Sequence, residues 1–383
     1  MRLVIAGGGT GGHIYPALAV ARSLRASPAA PDLVWVGGHR GLEARLVPPA
    51  GIRLRRLVLR SLRTVDVDVH AVLDPLRLGA SVPQAAAILA AERPAAIFTT
   101  GGYVAIPLLL AAGALRIPAV MWDGNVIPGR SVRVTSRLAD VLAVSFAETC
   151  AALGRGRPCY VTGTPIRDPR AVDREAARER LGIAPGARLL LVFGGSQAVA
   201  RFNAAVAGAI GRLVERVHVL HVTGDAGFDE ALDRREALPA AVRDRYRPYA
   251  FLREEMGLAL AAADLVVGRA GASTLAEVAA FGLPMIVVPY PHAAGHQRAN
   301  ARALVEAGAA RLVADEEFDA EALLAAAAIL DDPRLHATMS AAARSLARPG
   351  AADAVAALVL AAARRAAAPD VATIEAIARG AAA

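Results

Sequence analysis

Three times along the chain an aliphatic run stops at a glycine-rich turn and a helical stretch follows. Residues 3–6 run into Gly7-Gly8-Gly9-Thr10-Gly11-Gly12, residues 96–99 into Thr100-Gly101-Gly102-Tyr103, and residues 189–193 into Gly194-Gly195-Ser196-Gln197. Strands that stay apolar at every position are buried on both faces, which is the condition of a parallel sheet covered by helices. The same alternation predicts further strands at 33–36, 54–59, 119–122, 141–144 and 160–162. In the second half it predicts them at 218–222, 249–251, 265–267, 285–288 and 311–313. Between the halves, Gly163-Thr164-Pro165-Ile166-Arg167-Asp168-Pro169 denies either element a continuation and reads as a hinge. Domains are therefore expected at 1–163 and 164–349. The alanine-rich residues 350–383 are expected to form one terminal helix, frayed over its last dozen residues, that packs back toward the first domain.

With 383 residues, 55% hydrophobic and 20% charged, each half can bury a core, and intrinsic disorder is excluded. Cys150 and Cys159 are the only cysteines, too few for a disulfide scaffold, so reduced thiols in a reducing compartment are expected. The apolar run at 104–115 is too short to span a bilayer and is closed by Arg116 and Pro118. The start, Met1-Arg2-Leu3-Val4-Ile5-Ala6, lacks the apolar length of a signal peptide, which points to the cytoplasm.

Every cationic side chain other than histidine is arginine, a bias that GC-rich coding explains. Residues 1–163 hold 18 arginines against 9 acids and residues 164–383 hold 25 against 26, so the first half is the one suited to an anionic partner. Arg53, Arg55, Arg56, Arg60 and Arg63 fall in an acid-free run interleaved with leucine and valine. Leu73, Leu76, Arg77, Leu78 and Val82 extend the mixture. Such a run is either a strand with a solvated face or a surface for anionic lipid, at roughly 1 kcal/mol per arginine near the headgroups. Nucleic acid is disfavoured, because aromatics at 4% offer few stacking platforms.

Gly7, Gly9 and Gly12 fit G-x-G-x-x-G, but the second strand ends Val36-Gly37-Gly38-His39 without the acid that would hold a nicotinamide ribose, which disfavours an NAD enzyme. His13 stands at the mouth of this loop, where it either makes a structural hydrogen bond or, its pKa lowered by a helix start, takes a proton from a hydroxyl as a neutral imidazole. In Asp264-Leu265-Val266-Val267-Gly268-Arg269-Ala270-Gly271-Ala272-Ser273-Thr274-Leu275-Ala276-Glu277, Ser273 or Thr274 is expected to cap a helix. Glu277 would close a capping box, accept hydrogen bonds from ribose hydroxyls, or do both at once. The loop Pro289-Tyr290-Pro291-His292-Ala293-Ala294-Gly295-His296-Gln297 could bind sugar hydroxyls, and its two histidines make a poor zinc pair with no third ligand near. Asp66-Val67-Asp68 has the spacing of metal-dependent sugar transferases but reads as an exposed connection.

Taken in order, Gly8-Gly9-Thr10-Gly11-Gly12-His13 with Pro16-Ala17-Leu18, Gly101-Gly102-Tyr103, Gly194-Gly195-Ser196-Gln197, and Arg269-Ala270-Gly271-Ala272 with Thr274 and Glu277 resemble the MurG family. These are the bacterial peptidoglycan transferases that move GlcNAc from UDP-GlcNAc onto lipid I to make lipid II. The resemblance implies an α/β GT-B fold, two Rossmann-like domains facing across a cleft, with acceptor and membrane on the first and UDP-GlcNAc on the second. It implies metal-independent inversion without a cofactor. His13 or Asp123 would be the base. Thr10, Gly11, Gly12, Asn125, Arg167, Ser196, Gln197, Ala272, Ser273, Thr274, Glu277, His296 and Gln297 would serve the donor. Gly8, Gly9, Gly101, Gly102 and Tyr103 would form acceptor and phosphate loops. Arg56, Arg60, Arg63, Leu73, Leu76, Arg77, Leu78 and Val82 would meet the anionic cytoplasmic face of the membrane as a peripheral protein. Where the family is expected to read His-Glu-Gln-Asn, this chain reads Trp122-Asp123-Gly124-Asn125. Left open are a transferase of this fold with another lipid or natural-product acceptor, a non-hydrolysing UDP-GlcNAc epimerase, and a catalytically silent nucleotide-sugar or lipid binder.

Overall fold

The structure, a computed structural model, describes residues 1–39, 41–59, 70–154, 156–194, 200–252, 255–291 and 295–380. They form two compact units, one of Met1–Ile166 with Arg348–Ala383, the other of Arg167–Ala347.

In the first unit β1 (Arg2–Ala6), β2 (Asp32–Gly38), β3 (Arg53–Leu57), β4 (Ala96–Thr99), β5 (Ala119–Asp123), β6 (Val141–Val144) and β7 (Cys159–Val161) form one parallel sheet, in the order β3-β2-β1-β4-β5-β6-β7. The burial pattern has a period of two inside an unbroken apolar run. Leu3 and Ile5 of β1 enter the core beneath the helix Gly11–Ala26, whereas Val4 and Ala6 enter the opposite core beneath Leu89, Leu108 and Leu109. Register pairs Ile5 with Phe98 and Ala6 with Thr99, so the turns after β1 and β4 leave the sheet side by side.

The second unit repeats the plan with β8 (Leu189–Phe193), β9 (His218–Val222), β10 (Tyr246–Tyr249), β11 (Leu265–Gly268), β12 (Met285–Val287) and β13 (Ala310–Leu312), all parallel, in the order β10-β9-β8-β11-β12-β13. Strand order reverses between β1 and β4 and again between β8 and β11. Open parallel sheets bind ligands in the crevice beyond the carboxyl ends of such a pair.

The structure corrects the sequence in four places. The strand expected at 249–251 lies at Tyr246–Tyr249, where a proline at Pro248 is tolerated because β10 is an edge. The strand expected at 54–59 stops at Leu57. The single terminal helix is two, Ala351–Ala363 and Val371–Ala378. Arg365 at φ 52 breaks the first, and Asp370, accepting from the Thr373 amide at 2.7 Å, caps the second. Cys150 and Cys159 are joined by a disulfide instead of standing as free thiols. The helix Ala147–Leu153 lies beside β7, which sets their Cα atoms 5.7 Å apart, within bridging reach.

Candidate active site

The helix Gly11–Ala26 begins directly after the first glycine loop, with Thr10 as its exposed N-cap residue and no side-chain cap on the free amides. His13, in its first turn, sets Nδ1 2.7 Å from the carbonyl oxygen of Thr100. A carbonyl can only accept, so Nδ1 carries the proton and Nε2 keeps its lone pair. The Thr100 hydroxyl donates back to the His13 carbonyl at 2.9 Å, locking the turn after β4 onto the helix start. Burial lowers the imidazole pKa below 6.5, outweighing the Thr100 bond, so the ring is neutral at pH 7. Gly102, at φ 78, is required here: a Cβ would stand 3.1 Å from the Gly8 carbonyl oxygen. Thus His13, Gly8, Gly101 and Gly102 converge, and Tyr103 lies against Gly9.

Asp123 ends β5 with its carboxylate buried and Oδ2 unpaired. Burial pushes its pKa up to about 7, although the Asn125 and Gly124 amides pull the other way. Asn125 is half-buried just beyond, its carbonyl accepting from the Thr149 hydroxyl at 2.8 Å. A carboxyl held near neutrality at the end of a strand is a second candidate base.

In the second unit the helix after β11 is Ala272–Ala280 and its N-cap is Gly271. Ser273 and Thr274 therefore sit inside the first turn and cap nothing, and Glu277 lies beyond that turn, so the capping-box reading is wrong. The chain enters the helix two residues earlier because Gly271, in extended geometry, can take the cap position without a side chain. Instead Glu277 Oε1 accepts from Arg167 Nε at 3.2 Å. Burial raises the Glu277 pKa and Arg167 partly offsets it. Ala272, Ser273, Thr274 and Glu277 are all partly exposed at the carboxyl end of β11, in position to meet a ligand. The Gln297 amide oxygen accepts from the Tyr290 and Ala270 amides at 2.9 and 3.2 Å, which leaves its NH2 for a ligand. His296 opens the helix His296–Glu306 beside it.

Three groupings escape the sequence. Thr100 orients His13 from 87 positions away. Arg269 is buried between the Phe202 and Tyr290 rings, at 4.7 and 5.4 Å, and pairs with Asp315. Glu43, wholly buried, binds the first glycine loop. Glu43 was not singled out from the sequence, and the one local signal that could have found it is the set of glycines beside it, Gly37, Gly38 and Gly41.

The basic run is less free than it reads. Arg53 and Arg55, with Arg2, converge on the buried carboxylate of Glu92 at 2.7–3.0 Å, an acid 37 or more positions away that no local count could include. Arg56 is exposed, Leu78 packs on the core, and Val82 is half-buried. Arg60, Arg63, Asp66, Asp68, Ser196, Gln197 and the side chains of Leu73 and Leu76 lie outside the described residues. Among the described residues no helix is long and apolar enough to cross a membrane, and no three His, Cys, Asp or Glu side chains cluster to hold a metal.

Comparisons with known proteins agree across both units. The Glycosyltransferase family 28 N-terminal domain matches residues 3–144 and its C-terminal domain residues 189–356. The chain is 40% identical over 367 residues, 93% of its length and 96% of the relative's, to a UDP-N-acetylglucosamine--N-acetylmuramyl-(pentapeptide) pyrophosphoryl-undecaprenol N-acetylglucosamine transferase of Desulforudis audaxviator. It resembles a crystal structure of MurG from Acinetobacter baumannii with a TM-score of 0.73 and 27% identity, covering 94% of this chain and 99% of that one. A solved UDP-N-acetylglucosamine 2-epimerase is similar at TM-score 0.69 and 14% identity, covering 96% and 98%, a likeness of fold alone.

Proposed function

The chain belongs to glycosyltransferase family 28, among its MurG transferases, and from that membership we infer that it moves GlcNAc from UDP-GlcNAc to the MurNAc 4-hydroxyl of lipid I. The products are lipid II and UDP. The observation that carries this reading is the 40% identity maintained over 93% of the chain, through both units. The epimerase alternative shares the fold but only 14% identity.

The step is a single displacement with inversion. The acceptor oxygen attacks the anomeric carbon, the bond from that carbon to the UDP oxygen breaks, and the hydroxyl proton passes to a base. His13 suits that role, because Thr100 holds the proton on Nδ1 and burial keeps Nε2 unprotonated. Asp123 is the competing candidate. Donor binding is assigned to the second unit, where Glu277 and Arg167 are paired at the carboxyl end of the sheet and Ser273 and Thr274 stand in a helix start that favours phosphate. Charge growing on the departing UDP is met by those amides and by Arg167, which needs no metal. Lipid I is assigned to the first unit, around Gly8, Gly9, Gly101, Gly102 and Tyr103; Thr10, Gly11 and Gly12, expected from the resemblance to serve the donor, are assigned with them to the acceptor, because they continue the same loop into the helix Gly11–Ala26. Exposed Arg56, with half-buried Arg77, would hold that unit to the anionic cytoplasmic leaflet as a peripheral protein.

Mass spectrometry after incubation with UDP-GlcNAc, with and without lipid I, tests the reading. Free UDP and a lipid heavier by one N-acetylhexosamine, formed equally in excess EDTA, is the expected result. UDP-ManNAc would mean an epimerase, and unchanged donor a binding protein.

A further inference from the structure

Glu43 opens the four-residue helix Glu43–Leu46 just after β2, and it is wholly buried. A buried carboxylate has to be matched by donors, since the free energy of losing water is otherwise uncompensated. Its partners among the described residues are neutral and come from three separate segments. Oε1 accepts from the Gly38 amide at 2.8 Å and from the Tyr103 hydroxyl at 3.0 Å, and Oε2 accepts from the Gly9 amide at 3.2 Å. Hydrogen bonds to an ionised acceptor are about twice as strong as neutral ones, so this single group ties the end of β2, the first glycine loop and the turn after β4. The neighbourhood is shaped around it. A Cβ on Gly37 would lie 2.7 Å from Glu43 Cγ, and one on Gly38 would occupy the place of the Tyr103 hydroxyl. The phenol is correspondingly hard to ionise, its pKa raised by burial and then by Glu43.

An anion at this spot has two opposite consequences for a phosphorylated ligand. By charge alone it repels the ligand. By geometry it holds the Gly9 amide and the tyrosine, which fixes the loop ahead of the helix Gly11–Ala26, where Thr10 is exposed and the Gly11 and Gly12 amides have no side-chain cap. We propose that Glu43 is a positioning residue for acceptor binding: its carboxylate sets the conformation of the glycine loop and Tyr103 so that the donors at Thr10, Gly11 and Gly12 receive the acceptor's diphosphate. The proposal rests on lipid I being the acceptor and on its placement in the first unit.

The two consequences separate by sign in Glu43→Gln. All three partners are donors, so if the new amide oxygen stays with Gly38 and Tyr103, its NH2 faces the Gly9 N–H and pushes the loop away. Positioning predicts that the KM for lipid I rises about ten-fold or more, the scale of one unsatisfied buried donor, while the KM for UDP-GlcNAc stays within about two-fold. A folded Glu43→Gln enzyme whose lipid I KM is unchanged or lower, or whose two KM values rise together, overturns the proposal. If that variant does not melt cooperatively, Tyr103→Phe decides, because its carboxylate keeps both amides. A higher lipid I KM alone supports the proposal, and an unchanged one overturns it. Wild-type protein that extends no lipid I would instead refute the transferase reading, an outcome visible before any variant is made.

Discussion

Because the Thr100 carbonyl claims the proton on His13 Nδ1, the imidazole can act on a hydroxyl only through Nε2, and only while neutral. Burial sets His13 below 6.5 and Asp123 at about 7, so the two candidate bases give different pH profiles. The acid limb of kcat/KM reports the base of the free enzyme. With His13 in the role, the limb lies below pH 6.5 and survives in Asp123→Asn, while His13→Ala lowers kcat by roughly 100- to 10,000-fold. A limb near pH 7 that vanishes in Asp123→Asn would move the role to the carboxylate. The same shift has a stability sign. Between the unfolded value of 3.8 and about 7 the folded chain holds the Asp123 proton more tightly, so raising the pH through that interval destabilises the fold. An unpaired, buried Oδ2 is costly to ionise, which is the usual mark of a carboxyl kept for function.

Elements in the second unit are held in register by one acid. Asp264, 5% exposed just before β11, accepts from the Leu189 amide of β8 at 2.8 Å and from Arg174 and Arg178 of the helix Arg174–Arg180 at 2.8 and 3.4 Å. Removing one partner of a buried charge network leaves the others unmatched. Asp264→Asn is therefore expected to lower stability by about 3–5 kcal/mol, read as a shift of the denaturant midpoint with the slope unchanged. Strands such as β8 and β11 were legible because strands buried on both faces are apolar at every position. β10 was displaced because Tyr246-Arg247-Pro248-Tyr249 is an edge with no such run. The candidate site was legible as far as its glycine turns and its helix starts. Glu43, Thr100 and Glu92 were not, because each works through groups that folding brings from more than 30 positions away, many of them backbone amides and carbonyls that carry no side-chain signature. The Gly271 cap was missed for a related reason. Ser and Thr advertise a cap, and a glycine in extended geometry does not.

For the molecule as a whole, chain order and folding units disagree at the carboxyl end. The C-terminal family 28 domain match runs to residue 356, yet Arg348–Ala383 belongs with Met1–Ile166. Val355, Leu358, Val359 and Ile374 are buried in the core beside Leu18, Val20 and Trp35 of the first unit. At about 1.5–3 kcal/mol for each such side chain, these four alone contribute roughly 6–12 kcal/mol, as much as the whole stability of an ordinary domain. The second unit ends at Ala347 and has its own cores around Phe202 and Leu260, with no residue beyond that point among them. A chain cut after Ala347 should therefore lose the melting transition of the first unit and keep that of the second. UDP at about 100 times its Kd should stabilise the surviving transition by about 2.7 kcal/mol, as it should the corresponding transition of the intact protein. Differential scanning calorimetry with and without UDP reads both effects at once. Two cooperative transitions in the shortened chain would show that the terminal helices are dispensable to the first core, and a surviving transition indifferent to UDP would remove the nucleotide from the second unit.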